Sequence, residues 1–456
     1  MDPKIFSAYD IRGVYPDQWN QNDAYCLGQA FGTFFAQNGA ASVHLGQDNR
    51  LSGKEILPAI TNGLITTGLK VVNLGTIITP MTYFAWYHYQ APATIMITAS
   101  HNPPEYNGIK SALNKNIIYG DKLKTILKIA QEKTFVNQEG GKKENQSIAD
   151  EYISHITKDI KLKNPLKLII DTANGTAGLF AKKVFEAVGC QVKILFEESD
   201  GSFPNHPPYP QKEEFYTKMK QELKDNNFDL GLAFDGDGDR IGIYNPKGEF
   251  IENDIIAAIL ASSVCQKYPG AKIILNISTT MAVLEAIQAT GGKPILWKTG
   301  FPLITEKMRQ EKAIFGGEIS GHFFFADRYY GYDDAFYAGL RLLEIISQGQ
   351  TIDQLAEQLP KYYQIPEFRL ELPGEIDKYQ LAQQIGDEIK SCYPEANILD
   401  FDGVRFSFEN SWGLIRPSNT ESLVTGRAEG KTEEDLKRVC NIINKQLEKH
   451  GFTKKI

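Results

Sequence analysis

The sequence of 456 residues has few cysteines and no cysteine motif. Its five cysteines lie far apart and none forms a C-x-x-C pair; they are Cys26, Cys190, Cys265, Cys392 and Cys440. Such spacing excludes a disulfide framework and a cysteine-rich structural zinc site. It is typical of reduced thiols in the cytoplasm, where we expect the protein to act.

Long hydrophobic runs and an excess of basic residues are also missing. The longest apolar helix-like stretch, 255–264, is about half the length that crosses a bilayer. The opening stretch MDPKIFSAYDIRG has no apolar core of a secretory signal. A net charge of −7 gives no general attraction to nucleic acid or acidic membranes. We therefore expect neither of these as a partner.

What the sequence does contain is a recurring α/β pattern. Three runs predict a buried strand, a tight loop and a helix, at 41–53, 166–178 and 271–283. A second apolar run that ends in an unusual loop follows each of them, at 93–104, 228–240 and 312–322. The recurrence predicts three related units, each with a loop at the carboxyl end of a strand, where open α/β sheets bind ligands.

Changes of composition predict four domains, which also fit the chain length. A polar, glycine-rich segment at 137–147 ends the first domain, and the segment at 245–254 separates the second from the third. The predicted domains are 1–147, 148–250, 251–365 and a smaller α+β domain at 366–456. In the last, helices are predicted at about 376–392 and from Thr432 to about Lys449.

The motif DGDGDR holds three carboxylates at alternate positions with glycine between them. Asp235, Asp237 and Asp239 can converge on one hard cation such as Mg²⁺, leaving positions open for a phosphate oxygen. An EF-hand is excluded, because Arg240 stands where its glycine belongs and Pro246 where its glutamate belongs. The alternative is an acidic turn exposed to solvent.

The stretch TASHNPPEYNGIK places Ser100 and His101 side by side after an apolar run. It is not the G-x-S-x-G elbow of a serine hydrolase. Adjacent residues point apart on an extended chain, so we expect His101 to be poorly placed as the base for Ser100. A phosphorylated Ser100 that faces the Asp trio through Mg²⁺ would explain both loops. The alternative is a serine–histidine pair with no catalytic role.

The third loop, GGEISGH, presents Glu318, Ser320 and His322 at alternate positions. Alternate spacing after a strand puts these side chains on one side, where they can hold sugar hydroxyls. The alternative is a turn with a hydrogen-bonded histidine.

Two arginines belong to further motifs. Arg416 in RPSNTES offers a bidentate fork for phosphate, and Ser418, Asn419 and Thr420 add short donors. The alternative there is a helix capping box. Arg12 in AYDIRG is either part of the site or a surface ion pair with Asp10.

Taken in order, YDIRG, TASHNPPEYNGIK, DGDGDR, GEISGH and RPSNT resemble the α-D-phosphohexomutase superfamily, over about residues 8–427. Ile319 within GEISGH favours the phosphomannomutase/phosphoglucomutase branch over phosphoglucosamine mutases. The resemblance implies four domains around a central cleft: three similar α/β units with mixed sheets and a smaller C-terminal α+β domain. It also implies interconversion of hexose 1-phosphate and hexose 6-phosphate, of mannose or glucose, through a phosphoserine and a hexose 1,6-bisphosphate.

The resemblance also implies a role for each matched residue. Ser100 would carry the phosphoryl group and bind Mg²⁺ together with Asp235, Asp237 and Asp239. Four residues would surround the transferring group: Arg12, His101, Lys110 and Arg240, with Lys110 as general base or acid. The substrate would be held by Glu318, Ser320, His322, Lys298, Arg416, Ser418, Asn419 and Thr420. Glucose or mannose 1,6-bisphosphate would activate the enzyme, small phosphosugars would be its partners, and it would be a monomer or a dimer.

Two positions depart from the branch. Phe301 stands where a histidine is common, and Ser278 where a lysine is expected. They leave open the choice among mannose, glucose and glucosamine phosphates. Lys298, in the same loop as Phe301, could partly substitute for the lost residues. A Mg²⁺-dependent sugar phosphatase and a non-catalytic phosphosugar-binding protein remain as alternatives.

Overall fold

The structure is a computed structural model that describes residues 1–374, 376–418 and 423–456. The chain forms two compact units. The first unit comprises Met1–Ile256 and Ser320–Leu355, and the second comprises Ala257–Ile319 and Ala356–Ile456. Within the described residues, no helix combines the length and the apolar character that a membrane span requires.

The first unit begins with a seven-stranded mixed sheet. Its strands are β1 (Ile11–Val14), β2 (Ser42–Gln47), β3 (Lys70–Thr76), β4 (Ala93–Ile97), β5 (Tyr106–Leu113), β6 (Asn116–Ile117) and β7 (Lys142–Asn145). The order is β1-β5-β4-β2-β3-β7, with β6 paired to β5. Strands β4, β2, β3 and β7 are parallel, whereas β5 is antiparallel to both β4 and β1. Parallel pairs need crossover connections, which agrees with the predicted strand–loop–helix order.

Five helices accompany this sheet: α1 (Gln21–Gln37), α2 (Gly53–Thr66), α3 (Thr79–His88), α4 (Asp121–Glu132) and α5 (Ala149–Thr157). A capping box formed by Asn20 and Asp23 starts α1. Helices α1 and α2 approach closely at Gly28, where a Cβ atom would lie 2.4 Å from the carbonyl oxygen of Ile60. A larger residue there would push the helices apart and open the core that both cover.

A second mixed sheet follows in the same unit. Its strands are β8 (Lys167–Asp171), β9 (Gln191–Leu195), β10 (Leu230–Phe234), β11 (Ile241–Tyr244) and β12 (Phe250–Ile251), and its helices are α6 (Ala181–Glu186) and α7 (Thr217–Asp225). The order is β12-β11-β10-β8-β9. Strands β9, β8 and β10 are parallel, and β10, β11 and β12 alternate in direction.

The chain enters the second unit along α8 (Asn253–Lys267) and builds a third parallel arrangement there. Its elements are β13 (Lys272–Asn276), α9 (Met281–Ala289), β14 (Lys293–Trp297), α10 (Phe301–Glu311) and β15 (Phe315–Gly317). Strand β13 lies between β14 and β15 and is parallel to both. The chain then returns to the first unit with β16 (Phe323–Phe325) and α11 (Ala335–Ile346), and α12 (Ile352–Glu357) follows.

The C-terminal part of the second unit is an antiparallel sheet with two helices. Its elements are β17 (Tyr363–Glu371), α13 (Lys378–Cys392), β18 (Asn397–Leu399), β19 (Val404–Ser407), β20 (Ser411–Pro417), β21 (Leu423–Gly430) and α14 (Glu433–Lys449). The order is β17-β21-β20-β19-β18. Helix α14 starts at Thr432 with a capping box that includes Asp435. Strand β21 after Ser418 argues against the capping-box alternative for RPSNTES.

These elements confirm the predicted fold class of three α/β units and a smaller α+β domain. The three predicted strand–loop–helix runs correspond to β2, β8 and β13, each followed by a helix. The second apolar runs are β4, β10 and β15, and the motif loops begin where these strands end. The fold therefore carries the motifs at strand ends, as the sequence pattern predicts.

Candidate active site

Ser100 lies in the connection between β4 and β5 and is 2% exposed. Its hydroxyl donates to Asp235 Oδ2 at 2.7 Å, across 135 residues of sequence. Its backbone N–H donates to Thr98 Oγ1 at 2.9 Å. Ser100 has a φ angle of +51°, a left-handed conformation that residues with a side chain rarely adopt. The loop therefore presents the hydroxyl directly to the acidic motif.

The left-handed backbone at Ser100 also overturns one expectation. His101 Nδ1 lies 3.1 Å from Ser100 Oγ, within hydrogen-bonding distance. The prediction that these neighbours point apart is wrong, because it assumed an extended chain and the backbone turns at Ser100. Burial, followed by the positive charges of Arg240 and Arg12, lowers the pKa of His101 well below its usual value. Its imidazole is thus neutral at pH 7 and takes part in the site as a hydrogen-bonding group.

The acidic motif connects β10 to β11. These strands pair antiparallel with Phe234 opposite Ile241, so residues 235–240 form a tight connection. Asp235 Oδ1 shapes it by accepting the N–H groups of Asp239 and Arg240, at 3.1 and 3.2 Å. The three aspartates are at most 1% exposed, and one oxygen of each lies within 4.8 Å of those of the others. The exposed acidic turn is therefore excluded.

Electrostatics within the trio are uneven. Burial and the neighbouring Asp239 and Asp237 raise the pKa of Asp235 well above its usual value. Burial would also raise the pKa of Asp239, but Lys110 and His322 outweigh it and lower the pKa well below the usual range. The trio thus gathers negative charge in a buried place, where it needs positive partners.

The two carboxylate oxygens of Asp237 differ in their hydrogen bonds with the described residues. Its Oδ2 accepts Thr79 Oγ1 at 2.6 Å and Lys110 Nζ at 2.8 Å. Its Oδ1 is buried and has no hydrogen-bond partner among the described residues. A buried, unpaired carboxylate oxygen beside two further carboxylates and a hydroxyl matches the all-oxygen ligand set that Mg²⁺ prefers. The residues present therefore fit the cation that the sequence predicts.

Lys110 reaches the trio from β5, a strand of the first sheet. It lies in β5 opposite Met96 of β4, and its Nζ contacts Asp237 and Asp239. Burial would lower the pKa of Lys110, but these two carboxylates outweigh it and raise the pKa well above the usual value. Lys110 is therefore a fully charged donor in this arrangement.

Two arginines flank the loops. Arg12 Nη2 pairs with Asp10 at 2.5 Å, as the surface alternative requires, but Nη1 also donates to Asn102 Oδ1 in the Ser100 loop at 2.8 Å. The side chain of Arg12 is only 21% exposed, so the pair is not a free surface pair. Arg240 Nε lies 3.1 Å from His322 Nε2.

The third loop does not continue as a strand. Strand β15 ends at Gly317, and Gly321 has a φ angle of +86°. The expectation that Glu318, Ser320 and His322 alternate on one side is therefore wrong. Ser320 Oγ is 3.2 Å from His322 Nδ1, and His322 Nε2 is 3.3 Å from Asp239 Oδ1, all in the first unit. Glu318 belongs to the second unit.

In the second unit, several predicted substrate residues surround the loop that follows β14. Lys298 begins this loop, and Gly300 N donates to Glu318 Oε1 at 2.7 Å. Thr299 N donates to Asp402 Oδ2 at 2.8 Å, and Asp402 Oδ1 lies 3.5 Å from Arg416 Nη2. The sequence-predicted loop residues and Arg416 are thus linked through Asp402, which the sequence analysis did not identify.

The remaining predicted residues of the second unit follow β20, and two of them lie outside the described part. Ser418 is 8% exposed at the end of β20. Asn419 and Thr420 lie outside the described residues. The two departures are both buried: Ser278 is 3% exposed and Phe301 is 8% exposed at the start of α10.

Sequence reasoning also missed two buried groups next to the trio. Thr79, which contacts Asp237, starts α3 after β3. Asp333 is fully buried, and neither carboxylate oxygen has a hydrogen-bond partner among the described residues. Burial and the charge of Asp239 raise the pKa of Asp333 to about 7. Asp239, His322 and Asp333 form a second group whose ligand atoms lie within 4.8 Å of one another.

Comparisons with known proteins match this arrangement domain by domain. Four phosphoglucomutase/phosphomannomutase family models match: α/β/α domain I at residues 3–137, domain II at 150–248, domain III at 252–363 and the C-terminal domain at 372–446. The phosphomannomutase/phosphoglucomutase of Pseudomonas aeruginosa is 37% identical over 97% of this chain and 95% of its own. The phosphoglucomutase of Neisseria gonorrhoeae is 37% identical over 96% and 95%. The crystal structure of a phosphoglucomutase/phosphomannomutase family protein from Burkholderia thailandensis is 36% identical, with a TM-score of 0.92 over 99% and 98% of the two chains.

Proposed function

We propose that this chain, which belongs to the phosphoglucomutase/phosphomannomutase family, is an isomerase that interconverts hexose 1-phosphates and hexose 6-phosphates. One observation carries the proposal: the hydroxyl of Ser100 lies 2.7 Å from Asp235, beside an unpaired oxygen of Asp237. This places a phosphate acceptor against a cation site, which phosphoryl transfer requires.

In the proposed cycle, phospho-Ser100 gives its phosphoryl group to O1 or O6 of a hexose monophosphate. The bond between phosphorus and Ser100 Oγ breaks, and a bond to the sugar oxygen forms. The resulting 1,6-bisphosphate reorients in the site and returns its other phosphate to Ser100. For the same reason, added glucose or mannose 1,6-bisphosphate phosphorylates Ser100 and so activates an unphosphorylated enzyme. Positioning and charge neutralisation supply most of the catalysis in such transfers.

The cation site of this mechanism consists of Asp235, Asp237, Asp239 and Ser100. Mg²⁺ held there would neutralise charge on the transferring phosphoryl group. The unpaired Oδ1 of Asp237 supports this ligand set, since its other oxygen is bound by Thr79 and Lys110.

Four further side chains in the first unit act on the same group. Arg12 and Arg240 offer positive charge to the phosphate oxygens, and Lys110 is the proposed general acid or base. His101 is the neighbour of Ser100 Oγ, with Nδ1 within hydrogen-bonding distance at 3.1 Å. Ser320 and His322 are proposed to bind the sugar; they contact each other at 3.2 Å, and His322 lies 3.3 Å from Asp239 at the cation site.

A second set of proposed substrate residues lies in the second unit. Glu318 and Lys298 would hold sugar hydroxyls, and Arg416 and Ser418 would hold the phosphate that does not react. The contact of Arg416 with Asp402, and of Asp402 with the loop at Thr299, supports a joint role for these elements. Asn419 and Thr420 complete this set by sequence only.

Domain limits, partners and setting complete the proposal. The four domains are proposed at 1–147, 148–250, 251–365 and 366–456. The partners are small phosphosugars rather than nucleic acid or membranes, in line with the net charge of −7. The protein acts in the cytoplasm, as a monomer or a dimer.

The preferred sugar is mannose or glucose phosphate, with glucosamine phosphate as the alternative. Ile319 in GEISGH favours the first choice. Ser278 and Phe301 keep the alternative open, because they stand where the branch has a lysine and a histidine.

The test supplies purified protein with Mg²⁺, a trace of glucose 1,6-bisphosphate, and the 1-phosphates of mannose, glucose and glucosamine in parallel. We expect 6-phosphates to form, and Ser100→Ala to reduce the rate by at least about 10³-fold. Ser202→Ala is the matched control, since Ser202 is exposed in the same unit. Free phosphate at a comparable rate would indicate a phosphatase, and binding without turnover a non-catalytic protein. Near-full activity of Ser100→Ala would refute the phosphoserine mechanism.

A further inference from the structure

We propose that Arg50, together with Asp48, is a positioning residue for the phosphoryl transfer: it fixes the loop of Ser100 at the required distance from the acidic loop. This inference rests on the proposed function of Ser100. Both residues follow β2 in the segment GQDNR, which carries none of the motifs identified in the sequence. They are at most 2% exposed.

Arg50 uses both terminal nitrogens of its guanidinium group on a single loop. Nη1 and Nη2 each donate to two backbone carbonyl oxygens, and Nε donates to Asp48 Oδ2 at 3.2 Å. The carbonyls belong to Pro103 at 2.5 Å, Tyr106 at 2.9 Å, Ser100 at 2.9 Å and Asn102 at 2.6 Å. One side chain therefore defines the path of the loop from Ser100 to the start of β5.

Asp48 reaches the same serine from its other side. Its Oδ1 accepts the N–H of Arg50 at 3.0 Å, and its Oδ2 accepts Thr98 Oγ1 at 2.7 Å. Thr98 Oγ1 in turn accepts the N–H of Ser100 at 2.9 Å. Ser100 is thus held at both its N–H and its carbonyl. Its left-handed φ of +51° needs such support, because strained conformations persist only where the surroundings over-determine them.

The same segment also contacts the structure around the acidic loop. Asn49 N donates to Thr176 Oγ1 at 3.0 Å, and Thr176 N donates to the carbonyl of Gly236 at 3.0 Å. Gly236 itself packs against the Ser100 carbonyl that Arg50 binds, so closely that a Cβ atom would lie 2.5 Å from its oxygen. Residues 49–50, the Ser100 loop and the acidic loop are thus each connected to the other two, directly or through Thr176. A shift of Arg50 therefore changes the distance between Ser100 and Asp235.

Arg50→Lys separates positioning from charge. Lysine keeps the positive charge, but its single ammonium group cannot bind four carbonyls in a planar fork. A misplacement of about 1 Å near the reacting group can reduce a rate about 100-fold. We expect a loss of that size in the rate at which glucose 1,6-bisphosphate phosphorylates Ser100, measured by rapid quench and intact mass. The KM for hexose phosphate should stay within about threefold, because no proposed substrate contact is removed.

Arg341→Lys is the matched control. Arg341 is 6% exposed in α11 of the same unit and pairs with Asp327 through two bonds of 2.7 and 2.9 Å, away from both loops. It should lose thermal stability like Arg50→Lys but keep the wild-type rate when both are measured below their unfolding temperatures. Asp48→Asn is the second test variant. It preserves shape but replaces one of the two acceptor oxygens by an NH2 group, so either Thr98 Oγ1 and Arg50 Nε lose Oδ2 or the N–H of Arg50 loses Oδ1. We expect at least a tenfold slower transfer.

The outcomes separate this inference from the proposed function. Slower transfer in Arg50→Lys or Asp48→Asn, with an unchanged KM and an unaffected control, supports positioning. Equal rates in wild type and both test variants overturn it, as does an equal loss in Arg341→Lys, which would indicate general loosening. If Arg50→Lys does not fold, Asp48→Asn decides by the same criteria. A wild-type protein that glucose 1,6-bisphosphate does not phosphorylate would overturn the proposed function and this inference with it.

Discussion

Replacing Gly236 by alanine tests the closeness of the two loops directly. A Cβ atom at position 236 would lie 2.5 Å from the carbonyl oxygen of Ser100, whereas ordinary contact begins at 3.4 Å. One of the loops must therefore retreat by about 0.9 Å. The oxygen belongs to backbone that Arg50 holds, so it cannot rotate away as a flexible side chain would.

The retreat should act on the reaction more than on the fold. Overpacking of this kind costs about 1–3 kcal/mol in the free energy of unfolding. Separation of Ser100 from Asp235, now 2.7 Å apart, should reduce phosphoserine formation about 100-fold. Rapid-quench measurement of Ser100 phosphorylation by glucose 1,6-bisphosphate gives the rate, and urea unfolding gives the stability.

Gly339→Ala provides the comparison. Gly339 lies in α11 of the same unit, and the three atoms nearest to a Cβ atom there would be side-chain atoms of Ile241 and Phe185, at 3.2 to 3.4 Å. Those side chains can adjust, and alanine favours the helix, so the rate should be unchanged. A wild-type rate in Gly236→Ala would refute the steric reasoning. So would an equal loss in Gly339→Ala.

Two further changes probe the cation site and the pH dependence. Asp237→Asn removes charge from the residue with the unpaired oxygen and should weaken Mg²⁺ or Mn²⁺ binding by at least the 10–100-fold seen for outer-shell groups; calorimetry showing unchanged affinity would exclude Asp237 as a ligand. Burial would lower the pKa of His206, but Asp171 at 3.2 Å and a backbone carbonyl outweigh it and raise the pKa above 6.5. The charged pair therefore contributes stability that is fully present below about pH 6.5 and is lost as pH rises through the higher folded-state pKa. The difference in unfolding free energy between wild type and His206→Gln should accordingly shrink from pH 6 to pH 9, and a difference that grows would contradict the assignment.

The fold and the three motif loops after β4, β10 and β15 were predictable because their signals are local. Alternating β-branched and amphipathic runs can be recognised in windows of about ten to twenty residues. The start of α14 at Thr432 can be recognised from an even shorter segment. Placement of the motif loops at the ends of β4, β10 and β15 follows from the same patterns. The carboxylate spacing of the DGDGDR motif likewise indicates a shared ligand within a single turn.

The supporting contacts were not predictable because they join distant parts of the chain. Thr79 binds Asp237 from 158 residues away, and Arg50 binds carbonyls that lie 50 to 56 residues later. Every residue has a backbone carbonyl, so the binding of carbonyls gives no residue-specific signal in a sequence. A buried arginine that binds them therefore cannot be distinguished from an ordinary loop residue. The polar cluster directly after the parallel strand β2 was the available signal for Arg50.

The left-handed turn at Ser100 was missed for a different reason. Nothing in TASHNPP requires a positive φ at the serine, and the usual residues for that conformation are glycine and asparagine. Tertiary contacts at Ser100 impose it, so the relation of Ser100 to His101 could be learned only from the structure.

The pairing of β4 with β5 makes strand register part of the chemistry. Met96 stands opposite Lys110, and Ile97 opposite Ile109. Side chains alternate between the two faces of a sheet, so a slip of one residue would carry Lys110 to the face away from Asp237 and Asp239. An insertion or deletion of one residue within β5 would thus remove the lysine from the site while every motif residue remained in the sequence. The site therefore constrains the number of residues in β5 that precede Lys110, as well as the identity of Lys110 itself.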